Sequence, residues 1–138
     1  MIEEYLKEID ELISASTEVI YVEVIRRSLW DTEFEKVVLY RYRLKMSDGS
    51  LLELTERLIE EKGTLSIKKY RHHWQRPDGQ VIKRWDNAPH HPEIDAFPHH
   101  LHNGSESNVI GHAEISGLDA LRTVISLISG ISIKPGNS

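Results

Sequence analysis

The chain has 138 residues, no cysteine and a formal net charge of −5. This length fits one domain that buries a core without disulfides, and the lack of cysteine excludes thiolate metal sites and thiol nucleophiles. We expect a cytoplasmic protein with no membrane partner. No apolar run approaches the ~20 residues of a membrane span, and the acidic N-terminus is not typical of a signal peptide.

The charge is unevenly distributed along the chain. Residues 1–35 carry ten acidic and three basic side chains, whereas residues 68–84 carry six basic side chains and one acid, Asp78. A basic patch on an acidic protein is either a phosphate-binding surface or a solvated strand face. Charge alone leaves both interpretations open.

The first predicted element is an amphipathic helix over residues 2–13, where apolar residues recur at helical spacing. β-branched residues and period-two alternation then replace the helical period, which predicts strands. Asp48-Gly49 and Pro77-Asp78-Gly79 are typical of tight turns, so successive strands pair as an antiparallel meander. Five strands are predicted, over residues 19–28, 38–46, 51–59, 65–75 and 80–86.

Residues 87–112 show no period and are predicted to form a long loop. Ser116 is a typical N-cap for a second helix that extends through Ile128, and Gly130 is a typical C-cap. The sequence therefore predicts a single α+β domain over residues 1–130. Its five-stranded antiparallel meander sheet would carry an N-terminal and a C-terminal helix packed on one face. Residues 131–138 are expected to be a disordered tail.

The segment from Trp85 to His102 has the composition expected of a functional site. Three prolines in it fix φ and restrict the residues before them, which lowers the entropy cost of holding side chains in one geometry. Histidine transfers protons near neutral pH, and its neutral imidazole is a common metal ligand. Five of the eight histidines lie within thirteen residues: His90, His91, His99, His100 and His102.

The hairpin before this segment is predicted to add side chains to it. If Gln75 faces Gln80, then Arg71 lies opposite Arg84, and alternate residues share a face. The face packed on the helices would hold Tyr70, Trp74, Val81 and Trp85. The open face would hold Lys69, Arg71, His73, Arg84 and Asp86.

Three interpretations of this group of residues are open. In the first, the site cleaves an RNA phosphodiester without a metal: one histidine is the base, another the acid, and Arg71 or Arg84 stabilises the developing charge. In the second, a divalent transition metal binds at the histidine loop, where the five histidines with Asp86 or Glu93 supply three or four ligands; His90, His99 and His102 are the candidate set. In the third, the histidines cap loop backbone groups or lie in an interface.

The same residues resemble a known family, the TumE-type toxins of type II toxin–antitoxin systems. The resemblance covers about residues 15–130, without the first helix, and Asp86-Asn87-Ala88-Pro89-His90-His91 is its most specific part. It implies a small toxin encoded beside a DNA-binding antitoxin that neutralises it. The segments that carry it are residues 47–53, 70–75, 84–93 and 97–102.

The candidate site residues follow from these observations together. The candidate catalytic residues, which also match the family motif, are His73, Arg84, Asp86, His90, His91, His99, His100 and His102. The candidate substrate-binding residues are Lys69, Arg71, Trp85 and Asn87. No cofactor is predicted under the first interpretation, and RNA is the expected substrate. The open sheet face and the unprotected edge strand favour contact with the antitoxin or a homodimer.

Overall fold

The computed structural model describes residues 1–130 as one antiparallel sheet with two helices on one face. The α+β class and the placement of the helices are confirmed. Helix α1 spans Ile2–Ala15 and helix α2 spans Gly117–Ser129. The predicted caps of α2 are confirmed, since the Ser116 side chain accepts a hydrogen bond from the Asp119 N–H and Gly130 adopts a left-handed conformation.

The sheet is a meander of seven strands that pair in chain order. The five-stranded prediction is therefore wrong in number, because two short strands lie within the predicted loop at residues 87–112. The strands are β1 (Val19–Asp31), β2 (Glu35–Met46), β3 (Leu51–Glu61), β4 (Thr64–Gln75), β5 (Val81–Asp86), β6 (His100–Asn103) and β7 (Val109–Gly111). The predicted tail at residues 131–138 lies outside the described residues.

The core fills the space between the sheet and the two helices. Alternate residues of β2, β3 and β4 are buried on this face, and both helices pack their apolar stripes against them. A buried polar group also joins the layers: Glu56 accepts hydrogen bonds from the hydroxyls of Tyr5 and Tyr40. Burial raises the pKa of Glu56.

The register of the β4–β5 hairpin differs from the prediction. A bulge between Trp74 and Gln75 shifts the pairing, so that His73 lies opposite Arg84 and Arg71 lies opposite Asp86. The expected pairing of Arg71 with Arg84 is therefore wrong. The assignment of faces survives because the shift is two residues: Tyr70, Trp74 and Trp85 are buried in the core on the helix side, and Val81 is also buried.

Strand β1 forms one edge of the sheet and is exposed along most of its length. Several of its large apolar side chains face water, among them Val24, at 56 % exposed, and Leu29, at 54 %. An exposed apolar edge of this length is a surface on which another chain can pair. Within residues 1–130, neither helix has the length and hydropathy needed to cross a membrane.

Candidate active site

A pocket of about 380 Å³ opens at the end of the sheet where β4, β5 and β6 meet the loop at residues 87–99. Imidazoles, one carboxylate and several cations line it, and we call it the histidine pocket. Its lining residues are Lys69, Tyr70, Arg71, Arg84, Asp86, Ala88, His90, His91, His100 and His102.

The pairing of β5 with β6 builds the floor of the histidine pocket. Arg84 lies opposite His102, and Asp86 lies opposite His100. Because side chains alternate across a strand, these four residues share the open face of the sheet. The intervening Leu101 is buried in the core on the other face and fixes this orientation.

Asp86 and His100 form the least exposed polar contact of the pocket. The Asp86 carboxylate Oδ1 lies 2.9 Å from His100 Nε2, while His100 Nδ1 lies 3.0 Å from the Pro98 carbonyl oxygen. Both ring nitrogens thus face oxygen acceptors. A neutral imidazole carries a single N–H, so only a doubly protonated His100 donates to both oxygens. The Ala88 N–H also donates to Asp86 Oδ1 and holds the carboxylate in place.

His102 has the opposite arrangement of partners. Its Nδ1 lies 2.8 Å from the Glu106 carbonyl oxygen, which only accepts, so Nδ1 carries the proton. Its Nε2 lies 3.1 Å from Arg84 Nη2, which only donates, so Nε2 presents a lone pair. Burial lowers the pKa of His102, and the nearby Arg84 charge lowers it further. His102 is therefore a neutral imidazole with its basic nitrogen in the histidine pocket.

Arg84 is held between two carboxylates. Its Nε lies 3.3 Å from Asp86 Oδ2, and its Nη1 lies 2.6 Å from Glu106 Oε1. Ion pairing with Arg84 lowers the pKa of Glu106. The guanidinium is mostly buried, and the exposed cations Lys69 and Arg71 stand on the neighbouring strand. This arrangement presents a fixed positive group to an anion that enters the pocket.

His91 completes a cluster of three imidazoles with His100 and His102. Its ring contacts theirs edge-on, with centroid distances of 5.1 and 5.9 Å. One ring nitrogen from each histidine lies within 4.8 Å of those of the other two. The alternative ligand set of His90, His99 and His102 is not brought together.

The other candidate residues lie outside the histidine pocket or at its rim. His90 is exposed at the rim, whereas His99 stacks on Tyr70 and lies 2.9 Å from the Tyr70 hydroxyl through Nδ1. His73 lies in an adjacent pocket with Arg43, Glu53 and Gln75, and burial lowers its pKa.

Two candidate substrate-binding residues have structural contacts instead. Trp85 is buried in the core on the helix side of the sheet and does not reach the histidine pocket. The Asn87 side chain accepts from the Tyr70 N–H and donates to the Lys68 carbonyl oxygen, at 3.1 and 3.2 Å. These two bonds tie the root of the loop to β4.

Glu106 is a site residue that the sequence analysis did not identify. Its carboxylate pairs with Arg84, and its carbonyl oxygen fixes the proton of His102. Glu106 lies in the β6–β7 connection, so it reaches the pocket only once that hairpin forms. The alternation of His100, Leu101 and His102 was the available signal, because it matches a strand with both histidines on one face.

The fold and the pocket define a small α+β protein with a cluster of histidines, an arginine and carboxylates at one end of an antiparallel sheet. The family model described as Toxin TumE matches residues 9–131, so the chain belongs to the TumE toxin family. The resemblance seen in the sequence is thus confirmed, and the match extends into α1. Membership makes the protein the toxin of a toxin–antitoxin system, with an antitoxin as its partner. No curated protein and no solved structure matches the chain.

Proposed function

We propose that this toxin cleaves RNA in the histidine pocket by acid–base catalysis, with His102 as the base and His100 as the acid. The supporting observation is the opposite pattern of hydrogen-bond partners around the two rings. The lone pair of His102 Nε2 faces the Arg84 guanidinium, which releases it when Arg84 turns to the phosphate, whereas His100 is set between two oxygen acceptors. Because the substrate is RNA, we expect the toxin to act in the cytoplasm.

The reaction transfers two protons, one from the substrate to His102 and one from His100 to the leaving group. His102 Nε2 takes the proton of a ribose 2′-hydroxyl, whose oxygen attacks the adjacent phosphorus. The bond from phosphorus to the 5′-oxygen breaks, and His100 donates its Nε2 proton to that leaving oxygen. The products are a 2′,3′-cyclic phosphate and a free 5′-hydroxyl.

The surrounding residues bind and orient the phosphate. Arg84 stabilises the negative charge that develops on the phosphoryl oxygens, because its guanidinium is already fixed and partly desolvated. Asp86 holds His100 and Arg84, and is a positioning residue. Lys69 and Arg71 bind the flanking phosphates of the RNA strand from the exposed face of β4.

Two matched oligonucleotides test this proposal. The full chain is incubated in the presence of a chelator, once with an RNA and once with the same sequence in 2′-deoxy form. The products are identified by mass spectrometry. We expect cleavage of the RNA alone, to a cyclic phosphate. Equal cleavage of the deoxy strand, or products with 5′-phosphates, would contradict attack by the 2′-hydroxyl.

Variants connect the activity to the pocket. We expect His102→Ala and Arg84→Ala each to lower the cleavage rate by about 10²-fold or more. His112→Ala is the control, because this histidine lies outside the pocket and bonds to the neighbouring Ala113 carbonyl oxygen. Loss of activity in the control, or full growth arrest by both pocket variants, would count against the assignment.

We further propose that the antitoxin covers the exposed edge of β1. Membership of the family supplies the partner, and β1 supplies an apolar edge that pairs with no further strand among residues 1–130. An extended antitoxin segment would add main-chain hydrogen bonds along β1 and bury its apolar side chains. A homodimer through the same edge is the competing arrangement.

Charge substitutions on β1 distinguish these arrangements. Val24→Glu and Leu29→Glu alter side chains that are already exposed, so the fold is expected to remain intact. We expect both variants to stay toxic while losing rescue and co-purification by the product of the adjacent gene. Leu127→Glu, on an exposed position of α2, is the control and should bind normally. A free toxin that is a dimer, and becomes monomeric in the Val24→Glu variant, would assign β1 to self-association instead.

A further inference from the structure

We infer that His91, His100 and His102 form a binding site for one divalent transition-metal ion, of the Zn²⁺ or Co²⁺ class. One ring nitrogen of each histidine lies within 4.8 Å of the other two, at the floor of the histidine pocket. This set differs from the candidate set of His90, His99 and His102, because β6 places His100 and His102 on one face of the sheet.

The second nitrogen of each ring supports this inference. His100 Nδ1 faces the Pro98 carbonyl oxygen, and His102 Nδ1 faces the Glu106 carbonyl oxygen. His91 Nδ1 lies 3.2 Å from the Glu93 carboxylate. Metal-bound histidines characteristically donate their other N–H to a carbonyl or carboxylate, which fixes the ring and raises its basicity. All three Nδ1 atoms have such a partner, which leaves the Nε2 atoms as the ligands. To bind there, the ion displaces the contact of His100 Nε2 with Asp86 and that of His102 Nε2 with Arg84.

The donor set selects the class of metal. Three imidazole nitrogens suit Zn²⁺, Co²⁺ or Ni²⁺, whereas Mg²⁺ and Ca²⁺ require oxygen ligands. Tetrahedral coordination at ~2.0–2.1 Å places ligand nitrogens about 3.3 Å apart. The widest separation in the cluster, up to 4.8 Å, therefore has to contract by about 1.5 Å. His91 is able to supply that movement, because it lies on the loop and is half-buried rather than part of the sheet.

The charges around the site are compatible with a cation. Asp86 lies 2.9 Å from His100 and places a negative charge beside the cluster. Arg84 is the nearest positive group, through its contact with His102 Nε2. When the metal takes that nitrogen, Arg84 keeps its ion pairs with Asp86 and Glu106. Lys69 and Arg71 are exposed on the neighbouring strand β4, where Arg71 lies opposite Asp86 and solvent screens both cations.

A bound metal changes how the pocket works, and this consequence rests on the proposed function. The lone pair of His102 Nε2 cannot bind the metal and accept a proton at the same time. Zn²⁺ should therefore inhibit cleavage by His102 and His100, and a chelator should restore it. Metal binding itself is measured without RNA, so it succeeds or fails independently of the ribonuclease proposal.

The test uses the full chain without a histidine tag. It is titrated with Co²⁺ while visible absorption is recorded, and with Zn²⁺ in a calorimeter. We expect one ion per chain and the intense visible bands of four- or five-coordinate Co²⁺ with nitrogen ligands. His91→Ala should weaken binding by at least about tenfold, whereas His112→Ala should bind as the wild type does.

The choice of variant guards against misfolding. His91 is half-buried and outside the sheet, so its replacement should leave the circular dichroism spectrum and the melting temperature nearly unchanged. His102→Gln is a second variant that retains polarity in a more buried position. Absence of stoichiometric binding, or binding that persists in both variants, would overturn the site. Faster RNA cleavage with Zn²⁺ would overturn its inhibitory role.

Discussion

Replacing His72 with leucine removes a fully buried imidazole from the helix-facing side of the sheet. His72 lies between Leu54 of β3 and Trp85 of β5, stacks on Tyr70, and has no hydrogen bond to either ring nitrogen. Burial lowers its pKa from 6.5 to about 3. Leucine has a similar volume without the ionisable group.

The sign of the pH effect follows from proton uptake. In the unfolded chain His72 binds a proton as the pH falls through 6.5, whereas the folded protein binds it only near 3. The unfolded state therefore gains protons first, and stability is lost between pH 6.5 and 3. Each pH unit within this window costs about 1.4 kcal/mol at most. Between pH 7 and pH 5 the loss due to His72 is about 2 kcal/mol.

Urea unfolding at pH 7 and pH 5, followed by tryptophan fluorescence, measures this difference. We expect the wild type to lose about 2 kcal/mol more stability than His72→Leu over this range. The raised pKa of Glu56 acts in the opposite direction, since its protonation stabilises the fold as the pH falls, and comparison at each pH cancels it. His112→Leu controls for the loss of one histidine. Equal acid sensitivity in wild type and His72→Leu would refute the reasoning.

Two further predictions concern the polar group that joins the helices to the sheet. Tyr40→Phe removes one hydroxyl donor from the buried carboxylate of Glu56 and should destabilise the fold by about 1–3 kcal/mol, as measured by urea unfolding. Gly117→Ala places a Cβ that overlaps the Tyr40 hydroxyl and Glu56 Oε1, so we expect a loss of about 1–3 kcal/mol, or more. If Gly117→Ala unfolds at the same temperature as the wild type, α2 can shift to make room for the added Cβ, and the prediction is wrong.

The longer elements were predictable because each repeats its pattern many times. The apolar residues of helix α1 recur at helical spacing and those of strand β2 alternate, and both patterns match the buried faces in the structure. The hairpin of β4 and β5 was placed on the correct face with the wrong register. The bulge between Trp74 and Gln75 has no sequence signature and depends on packing across the sheet. Strands β6 and β7, of four and three residues, are too short for a period to be recognised.

The sequence predicted where the site lies, but only some of the residues that line it. Histidine density indicated the right segment, but composition does not say which way a ring points. His99 turns away from the pocket to Tyr70. Trp85 faces the core, as the alternation along β5 predicted, and its inclusion among the substrate-binding residues disregarded that alternation. Glu106 reaches Arg84 only across a hairpin that local pattern did not reveal.

The dependence of the pocket on the β6–β7 hairpin leads to a matched pair of glycine variants. Gly104 and Gly63 both have positive φ, at 82° and 73°, and neither has an atom within 4 Å of an added Cβ. Alanine should therefore strain both turns by a similar ~1–2 kcal/mol. Only Gly104 precedes the Glu106 carbonyl that orients His102, and its N–H anchors the hairpin to Ile82.

If the proton on His102 Nδ1 is fixed by this hairpin, the two variants should differ in activity far more than in stability. We expect Gly104→Ala to lower RNA cleavage by at least tenfold relative to Gly63→Ala, at equal loss of melting temperature. Strain that remained within the turn would leave the Glu106 carbonyl in place, and the two variants would then cleave RNA equally. That result would mean that the hairpin does not orient His102, and that Arg84 and its carboxylate partners hold the ring in place.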